Sequence, residues 1–383
     1  MTTVGDLLAE FKEKPKAGQE PPVLTLTERK GFVRQADRFN KRLATDDISG
    51  YKIVRRNDIA FNPYLLWAGA VGQNTIVDEG VISPLYPTFR VRDGYDPRYV
   101  ARMLLTPQLI RAYDSIAFGS VPRRRRSSVK DFLSLSVANI PPIEEQRRIA
   151  GILDQADAIC SMRRRVLTQL DSLTQSIFHD MFSKSAEMDQ VQLGEIADVA
   201  SGITKGRRTS IPTMITPYLA VVNVQAGYLN LDKVKEIEAT HAEIDRYALR
   251  DGDLILTEGG DPDKLGRGTV WRGQIPLCLH QNHIFRVRLN TRSVISDYLE
   301  HYTASRVARS YFLRSAKQTT GIASINKTQL NALPVAVPPV ALQREFADRS
   351  ARVDAQRATV QQALNADSEL FASLQDRAFR GEL

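Results

Sequence analysis

The sequence predicts an α+β protein in which two mixed domains alternate with two long helices, and the helices are expected to pair as an antiparallel coiled coil in a pseudo-twofold arrangement. Three observations lead to this prediction: a motif that recurs 197 residues later, heptad-spaced apolar residues after each copy, and short β-rich runs before each copy. The predicted mixed domains are residues 1–142 and 189–337, and the predicted helices are residues 143–183 and 338–383.

The repeat is clearest at two Pro-Pro motifs. Residues 141–147 read Pro-Pro-Ile-Glu-Glu-Gln-Arg, and residues 338–344 read Pro-Pro-Val-Ala-Leu-Gln-Arg. Upstream, residues 89–92 and 285–288 both read Phe-Arg-Val-Arg, so the motifs follow the same order in each half. A period this long exceeds that of solenoid repeats and indicates a duplicated domain pair.

Each Pro-Pro motif is followed by a long segment with helical periodicity, and proline is well placed at a helix start. The apolar residues of the first segment lie mostly three or four positions apart, interrupted by Arg163: Ile149, Ile152, Ala156, Ile159, Val166, Leu170, Leu173 and Ile177. Those of the second, interrupted by Ser350, Arg357 and Asp367, are Phe346, Val353, Val360, Leu364, Phe371, Leu374 and Ala378. This spacing predicts a narrow seam for a partner helix, although two ordinary amphipathic core helices would also fit.

The segments before the helices mix short strands, turns and helices. Predicted strands lie at residues 51–54, 218–222, 253–256 and 283–287, and predicted helical stretches lie at 97–105 and 296–313. This mixture is typical of α+β domains of about 140 residues each. A polar stretch, residues 183–187, is predicted to link the two halves.

Composition limits the classes of function. The chain has 383 residues, a formal net charge of +8 and a pI of about 9.4, which favours a polyanionic partner without requiring one. Its two cysteines, Cys160 and Cys278, lack the spacing of zinc ligands and are expected to be reduced thiols. The sequence shows neither a signal peptide nor an apolar run of membrane-spanning length, so a soluble, cytoplasmic protein is expected.

The ordered set of motifs resembles the specificity subunit of type I restriction-modification systems. The resemblance covers nearly the whole chain and includes the start of a central spacer helix, a C-terminal ending and segments of two recognition domains. The segments that carry it are 62–63, 66–67, 69–72, 81–84, 141–149, 257–261, 265–268, 280–283 and 374–383.

This resemblance implies that residues 1–142 and 189–337 are target-recognition domains, each reading one half of a bipartite target in double-stranded DNA. It also implies that the helices set the gap between the half-sites and dock two modification subunits, with restriction subunits joining where present. The modification subunits would carry S-adenosylmethionine and methylate adenine. The chain itself would hold no cofactor, no metal and no catalytic residue.

The candidate DNA-binding residues are polar and basic side chains near predicted turns: Arg123, Arg124, Arg125, Arg126, Lys205, Arg207, Arg208, His280, Gln281, Asn282, Ser324, Asn326 and Lys327. The arginine run and the lysine–arginine cluster are expected to contact phosphates, because clustered cations release counterions, although each could be a solvated charge run. Residues 280–283 offer groups for base edges, but a strand position could equally direct them to backbone partners. Residues 321–327 lie in a segment that the family places near DNA.

Two other classes of function stay open from the sequence. A single-chain DNA methyltransferase is suggested by Asn62-Pro63-Tyr64, which resembles part of an Asn-Pro-Pro-Tyr site but lacks the second proline. A glycine-rich turn for S-adenosylmethionine is also missing, which favours a structural turn. The other class is a coiled-coil scaffold whose basic residues do not bind DNA.

Overall fold

The computed structural model describes residues 2–16, 18, 21–28, 31–38, 48–119, 125–137, 140–183, 190–206, 210–261, 265–319 and 322–383. The chain divides into two compact units, each of which is described by itself. Unit 1 comprises residues 1–164 and 362–383, and unit 2 comprises residues 165–361. Each unit therefore contains part of both long helices.

The described residues of unit 1 form two four-stranded sheets and one two-stranded sheet, flanked by helices. Its described strands are β1 (Leu8–Phe11), β2 (Val23–Thr27), β3 (Gly31–Arg34), β4 (Lys52–Arg55), β5 (Ile59–Phe61), β6 (Val71–Gln73), β7 (Glu79–Ile82), β8 (Thr88–Val91), β9 (Ala117–Phe118) and β10 (Arg126–Ser127). Its described helices are α1 (Val4–Leu7), α2 (Gln35–Arg38), α3 (Pro97–Met103), α4 (Pro107–Ser115), α5 (Val129–Ser134) and the first part of α6 (Ile143–Phe182). One four-stranded sheet has the antiparallel order β1-β8-β5-β6, and the second has the order β3-β2-β7-β4 with β2 and β7 parallel. Strands β9 and β10 pair with each other as an antiparallel ribbon.

Unit 2 includes the last part of α6 and repeats this plan. Its described strands are β11 (Gln190–Gln192), β12 (Ala197–Ser201), β13 (Met214–Leu219), β14 (Lys235–Ala239), β15 (Leu254–Thr257), β16 (Gly259–Gly260), β17 (Gly268–Val270), β18 (Leu279–His280), β19 (Ile284–Leu289), β20 (Lys317–Thr319), β21 (Ile322–Ser324) and β22 (Pro334–Ala336). Its described helices are α7 (Leu193–Ile196), α8 (His241–Tyr247), α9 (Ser296–Ala304), α10 (Arg306–Ser315), α11 (Lys327–Asn331) and the first part of α12 (Val340–Arg380). The main sheet, β12-β19-β15-β17, has the same antiparallel arrangement as its counterpart in unit 1.

The repeat extends to single hydrogen bonds. Before β5, the carboxylate of Asp58 accepts a bond from the backbone N–H of Arg55, and before β15, Asp253 accepts one from Arg250, both at 2.7 Å. The N–H of Ser127 donates to Pro63 O at 2.9 Å in unit 1, and that of Ile325 donates to Glu258 O at 3.0 Å in unit 2. These matched bonds identify equivalent positions in the two units.

Each unit has an aromatic core into which the long helices are anchored. In unit 1 the rings of Phe61 and Phe132 lie 4.6 Å apart, and the start of α6 and the end of α12 pack against the same cluster. In unit 2, Phe178 of α6 and Phe346 of α12 meet edge to face at 5.2 Å beside Tyr298. Burying such rings is a large favourable contribution to folding.

The long helices pair in antiparallel fashion. In unit 1 Arg163 forms an ion pair with Asp367, and in unit 2 Arg357 Nε lies 3.1 Å from Asp171 Oδ1. As the residue number increases along α6 from 163 to 171, the number of its partner on α12 decreases from 367 to 357, so the two helices run in opposite directions. The predicted fold class is confirmed in its mixed domains and paired helices. None of the described helices has a stretch apolar enough to span a membrane.

The seam of α12 follows the predicted heptads, whereas the predicted seam of α6 departs from the structure at two positions. The predicted seam residues Ile159 and Leu173 are 48% and 45% exposed, whereas their neighbours Cys160 and Thr174 are buried. Apolar residues recur every seven positions in both registers, so the sequence alone favours the larger side chains. Gln146, which is buried in unit 1, lies on the same seven-residue track as Cys160 and Thr174.

A buried glutamine connects each long helix to its mixed domain. Gln146 accepts a hydrogen bond from Asp96 N at 2.9 Å and donates to Pro141 O at 2.8 Å. Gln343 accepts from Ile295 N at 3.0 Å and donates to Ser293 O and Pro338 O at 2.8 and 2.7 Å. Buried amides must be paired in this way, which explains why Gln recurs after each Pro-Pro.

Gln343→Leu is expected to lower the free energy of unfolding by about 2–4 kcal/mol, because it removes the side-chain hydrogen bonds to the part-buried backbone of residues 293 and 295 and to the buried carbonyl of residue 338. Chemical denaturation of the full chain measures the effect. The matched control is Gln356→Leu on an exposed position of the same helix, which is expected to change stability by about 0.5 kcal/mol or less. Equal effects of the two variants would contradict the role of the buried amide.

Two predicted elements differ from the structure. Residues 218–222 were expected to form one strand, but β13 ends at Leu219 and a 3₁₀ turn follows at Val221–Asn223. The helical stretch 296–313 is interrupted at Ser305, whose hydroxyl accepts a bond from Ala308 N and caps α10. Side-chain capping of this kind ends one helix and starts another without a glycine or proline signal.

Candidate nucleic-acid interface

An arginine–aromatic cluster lies where β5 ends in unit 1; it consists of Tyr64, Trp67, Phe118, Arg125 and Arg126. The guanidinium of Arg126 is 5.7 Å from the Tyr64 ring centre, and that of Arg125 is 5.8 Å from the Trp67 ring centre. Phe118 pairs with Arg126 across β9 and β10 and is 66% exposed. Aromatic faces beside guanidinium groups suit contacts with nucleotides, because both can stack on bases or lie along the backbone.

The turn beneath this cluster is built by Asn62. Its Oδ1 accepts a bond from Tyr64 N at 3.0 Å, and its Nδ2 donates to the Tyr86 hydroxyl at 3.1 Å. Asn62 is 7% exposed, so its amide is committed to the turn. This geometry favours the structural interpretation of Asn62-Pro63-Tyr64 over a methyltransferase site.

The arginines of the predicted run have different environments. Arg123 and Arg124 lie outside the described residues. Arg125 donates to the carboxylate and the backbone carbonyl of Asp114, both at 2.6 Å, and its side chain is 24% exposed. Arg126 is exposed. Of the two described arginines, Arg126 is therefore the better placed for an external phosphate.

Four chain segments converge in unit 2 at the end of β15; we call this the loop junction, and its members are residues 203–205, 281–283, 258–259 and 324–327. The N–H of Glu258 donates to His283 O at 3.0 Å, and that of Asn282 donates to Ile203 O at 3.0 Å. Gly259 pairs with Ser324 across β16 and β21. The junction brings together residues that are far apart in the sequence.

The loop junction carries a hydrogen-bonded pair of side chains. His283 Nδ1 lies 2.8 Å from Glu258 Oε2, with the side chains 58% and 32% exposed. Asn282 Nδ2 is 3.5 Å from His283 Nε2. Three polar side chains are thus arranged next to one another on an accessible surface.

His280 requires a correction, because the structure buries this predicted base contact completely. Its Nδ1 donates to Ile284 O at 2.9 Å, and burial lowers the pKa of the imidazole to about 4. Its Nε2 is buried without a protein partner in the described structure. His280 is therefore a neutral core residue that cannot reach a base from this position.

The other predicted residues of unit 2 lie at or near the loop junction. Lys205 is exposed and its Nζ is 5.2 Å from the Tyr218 ring centre, whereas Arg207 and Arg208 lie outside the described residues. Gln281 is partly exposed and its N–H bonds to Leu219 O. Among the described residues, no three His, Cys, Asp or Glu side chains converge as metal ligands.

The predicted contacts Ser324, Asn326 and Lys327, at and after the end of β21, differ in the exposure and hydrogen bonding of their side chains. Ser324 is partly exposed, and Lys327 is exposed at the first position of α11. The Oδ1 of Asn326 caps α11 by accepting from Gln329 N at 2.9 Å. The cap uses one polar atom of Asn326, so its capacity for an external contact is reduced.

Sequence reasoning missed several residues of these surfaces. Tyr64, Trp67 and Phe118 were not selected, because single aromatic residues in loops carry no distinctive spacing. Glu258 lay in a motif that supported the resemblance but was not selected, and His283 belonged to the 280–283 base-contact motif but was not among the candidate residues. Only the fold reveals that they form a pair 25 residues apart in the chain.

No family model matches the chain, but curated relatives do. The specificity subunit of the type I restriction enzyme EcoKI from Escherichia coli K12 is 29% identical over 173 residues, covering 44% of this chain and 37% of the relative. That of StySPI from Salmonella potsdam is 22% identical over 308 residues, covering 75% and 65%. The chain is a relative of type I specificity subunits. The matches span from about a third to two thirds of the length of these relatives.

Solved structures agree at the level of the fold. The type I restriction-modification S subunit from M. genitalium has a TM-score of 0.55 at 14% identity, covering 98% of this chain and 95% of that one. A chain from a study of complex assembly and conformational transition of the type I system has a TM-score of 0.57 at 13% identity, covering 100% and 97%. The resemblance predicted from the sequence is confirmed.

Proposed function

We propose that the chain is the DNA-specificity subunit of a type I restriction-modification complex, in which each unit reads one half of an asymmetric bipartite target. The observation that carries this proposal is the duplicated scaffold with unlike surfaces at equivalent positions. Unit 1 presents the arginine–aromatic cluster, and unit 2 presents the loop junction with its Glu258–His283 pair. Because the scaffolds match and the surfaces differ, the two half-sites should differ in sequence.

Phosphate contacts and base contacts have separate roles in this proposal. Exposed Arg126, Lys205 and Lys327 are positioned to bind phosphates and to set the register on the duplex. Binding through these cations should weaken with salt, because each phosphate contact releases counterions. Base edges would be read by the polar and aromatic side chains next to them.

The paired helices are proposed to set the gap between the half-sites and to dock two modification subunits. Ile159, Met162 and Leu370 are 48%, 61% and 55% exposed and lie within about one helical turn of the Arg163–Asp367 ion pair. Exposed apolar residues on a coiled coil are suited to a further helix. The chain itself would be non-catalytic, and the modification subunits would bind S-adenosylmethionine and methylate adenine. Restriction subunits would join where the system contains them.

Co-expression with the cognate modification subunit, followed by genome-wide mapping of methylated adenine, tests this proposal. The expected result is one motif with two unlike half-sites separated by a fixed, non-specific gap. A palindromic motif, or methylation that ignores the gap, would contradict it. Methyl transfer by the purified chain alone would indicate a single-chain enzyme, and salt-independent or absent DNA binding by the complex would indicate a scaffold.

A further inference from the structure

The same backbone hydrogen bond is flanked in the two units by side chains of opposite hydrogen-bonding chemistry. The bond from Ser127 N to Pro63 O in unit 1 corresponds to the bond from Ile325 N to Glu258 O in unit 2. Next to this bond, unit 1 places the guanidinium of Arg126, which only donates hydrogen bonds. Unit 2 places the carboxylate of Glu258, which only accepts them when ionised.

A carboxylate is unexpected on a surface that meets DNA, because phosphates repel it. The loop junction otherwise carries exposed Lys205 and Lys327, and Lys317 pairs with Ser324 across β20 and β21. A negative side chain in such a basic surrounding is compatible with binding when it faces a base edge that donates a hydrogen bond. In the major groove these donors are the amino groups of cytosine and adenine.

The chemistry of the groove distinguishes the two bases. The N7 acceptor of adenine lies beside its amino group and would repel a second carboxylate oxygen. Cytosine presents its N4 amino group beside a C–H group, so it tolerates the carboxylate. An amide such as glutamine reverses this preference, since it donates to N7 and accepts from N6 of adenine.

We propose that Glu258 is a base-reading residue that accepts a hydrogen bond from the N4 amino group of a cytosine in the half-site contacted by unit 2. His283 is its positioning residue, because its Nδ1 holds Oε2 at 2.8 Å. Among the described residues, Oε1 of Glu258 has no protein hydrogen-bond partner and is available to the base. This inference rests on the function proposed above and identifies one element of its specificity.

The test maps methylated adenine in cells that co-express the full chain, wild type or variant, with the cognate modification subunit. Glu258→Gln is expected to change one position of one half-site from a G·C pair towards an A·T pair, with the preference for cytosine falling about tenfold. The other half-site and the gap are expected to remain unchanged. Glu236→Gln, on an exposed position of β14, is the matched control and should leave the motif intact.

His283→Ala should weaken selection at the same position without altering which base is preferred, and His283→Asn, which keeps a side-chain N–H donor, should restore part of it. Thermal unfolding midpoints close to that of the wild type would separate this effect from a loss of folding. An unchanged motif in Glu258→Gln beside a bipartite wild-type motif would overturn the inference alone. A wild-type chain that directs no bipartite methylation would overturn the proposed function and the inference with it.

Discussion

Removal of one heptad from each long helix is expected to shorten the gap of the methylated motif by about three base pairs while both half-sites stay the same. Seven residues of helix are about 10.5 Å long, and base pairs are stacked about 3.4 Å apart. Deleting residues 164–170 from α6 and 359–365 from α12 preserves the heptad phase of both seams and retains the Arg163–Asp367 and Arg357–Asp171 pairs. Methylation should be weaker than in the wild type, because three base pairs also turn the duplex by roughly 100°.

The matched control removes the heptad from α6 alone. The two seams then have unequal lengths, so apolar positions face no partner and the chain should lose both stability and directed methylation. Genome-wide mapping of methylated adenine reads the gap and the half-sites in one measurement. A double deletion that remains active with the original gap would show that the helices do not set the spacing.

The sequence predicted the architecture well because its signals are local and repeated. Pro-Pro followed by Gln marks the start of each long helix, and the period of α12 predicts its seam from Phe346 to Ala378. Two predicted seam positions of α6, Ile159 and Leu173, were wrong, because Ile159 and its buried neighbour Cys160 both lie on heptad tracks. The buried track is the one that contains Gln146, whose tertiary contact with Asp96 the sequence does not show.

The candidate interface was harder to predict, because its residues come from distant segments. Arg125 looked like its neighbours in the sequence, yet it is bound to Asp114 within its own unit. His280 was selected as a polar residue beside a strand, and the structure places it in the core. Glu258 and His283 become a pair only when β15 and β19 are adjacent in the sheet.

The ion pairs in the helix seam offer a prediction with a large effect on stability. Arg163→Asp should lower the free energy of unfolding by about 2 kcal/mol, because it places two carboxylates opposite each other in a partly buried seam. Asp367→Arg should have a similar effect with two cations. The double variant Arg163→Asp/Asp367→Arg should recover most of the loss, with a coupling of about 1–2 kcal/mol in a double-mutant cycle.

The Arg357–Asp171 ion pair provides a comparison in the same chain, because it is more exposed than the Arg163–Asp367 pair. Asp171 is 57% exposed, whereas Asp367 is 23% exposed, so the Arg357–Asp171 pair should couple by less than about 1 kcal/mol because water screens it. Denaturation of the full chain measures both cycles, and Arg165→Asp on an exposed position of α6 controls for a change of net charge. If the effects of the Arg163 and Asp367 substitutions on the free energy of unfolding are additive, the ion pair does not specify the register in which α6 and α12 pair. A strong coupling would mean that this polar contact contributes to selecting the antiparallel register, because only one register brings these charges together.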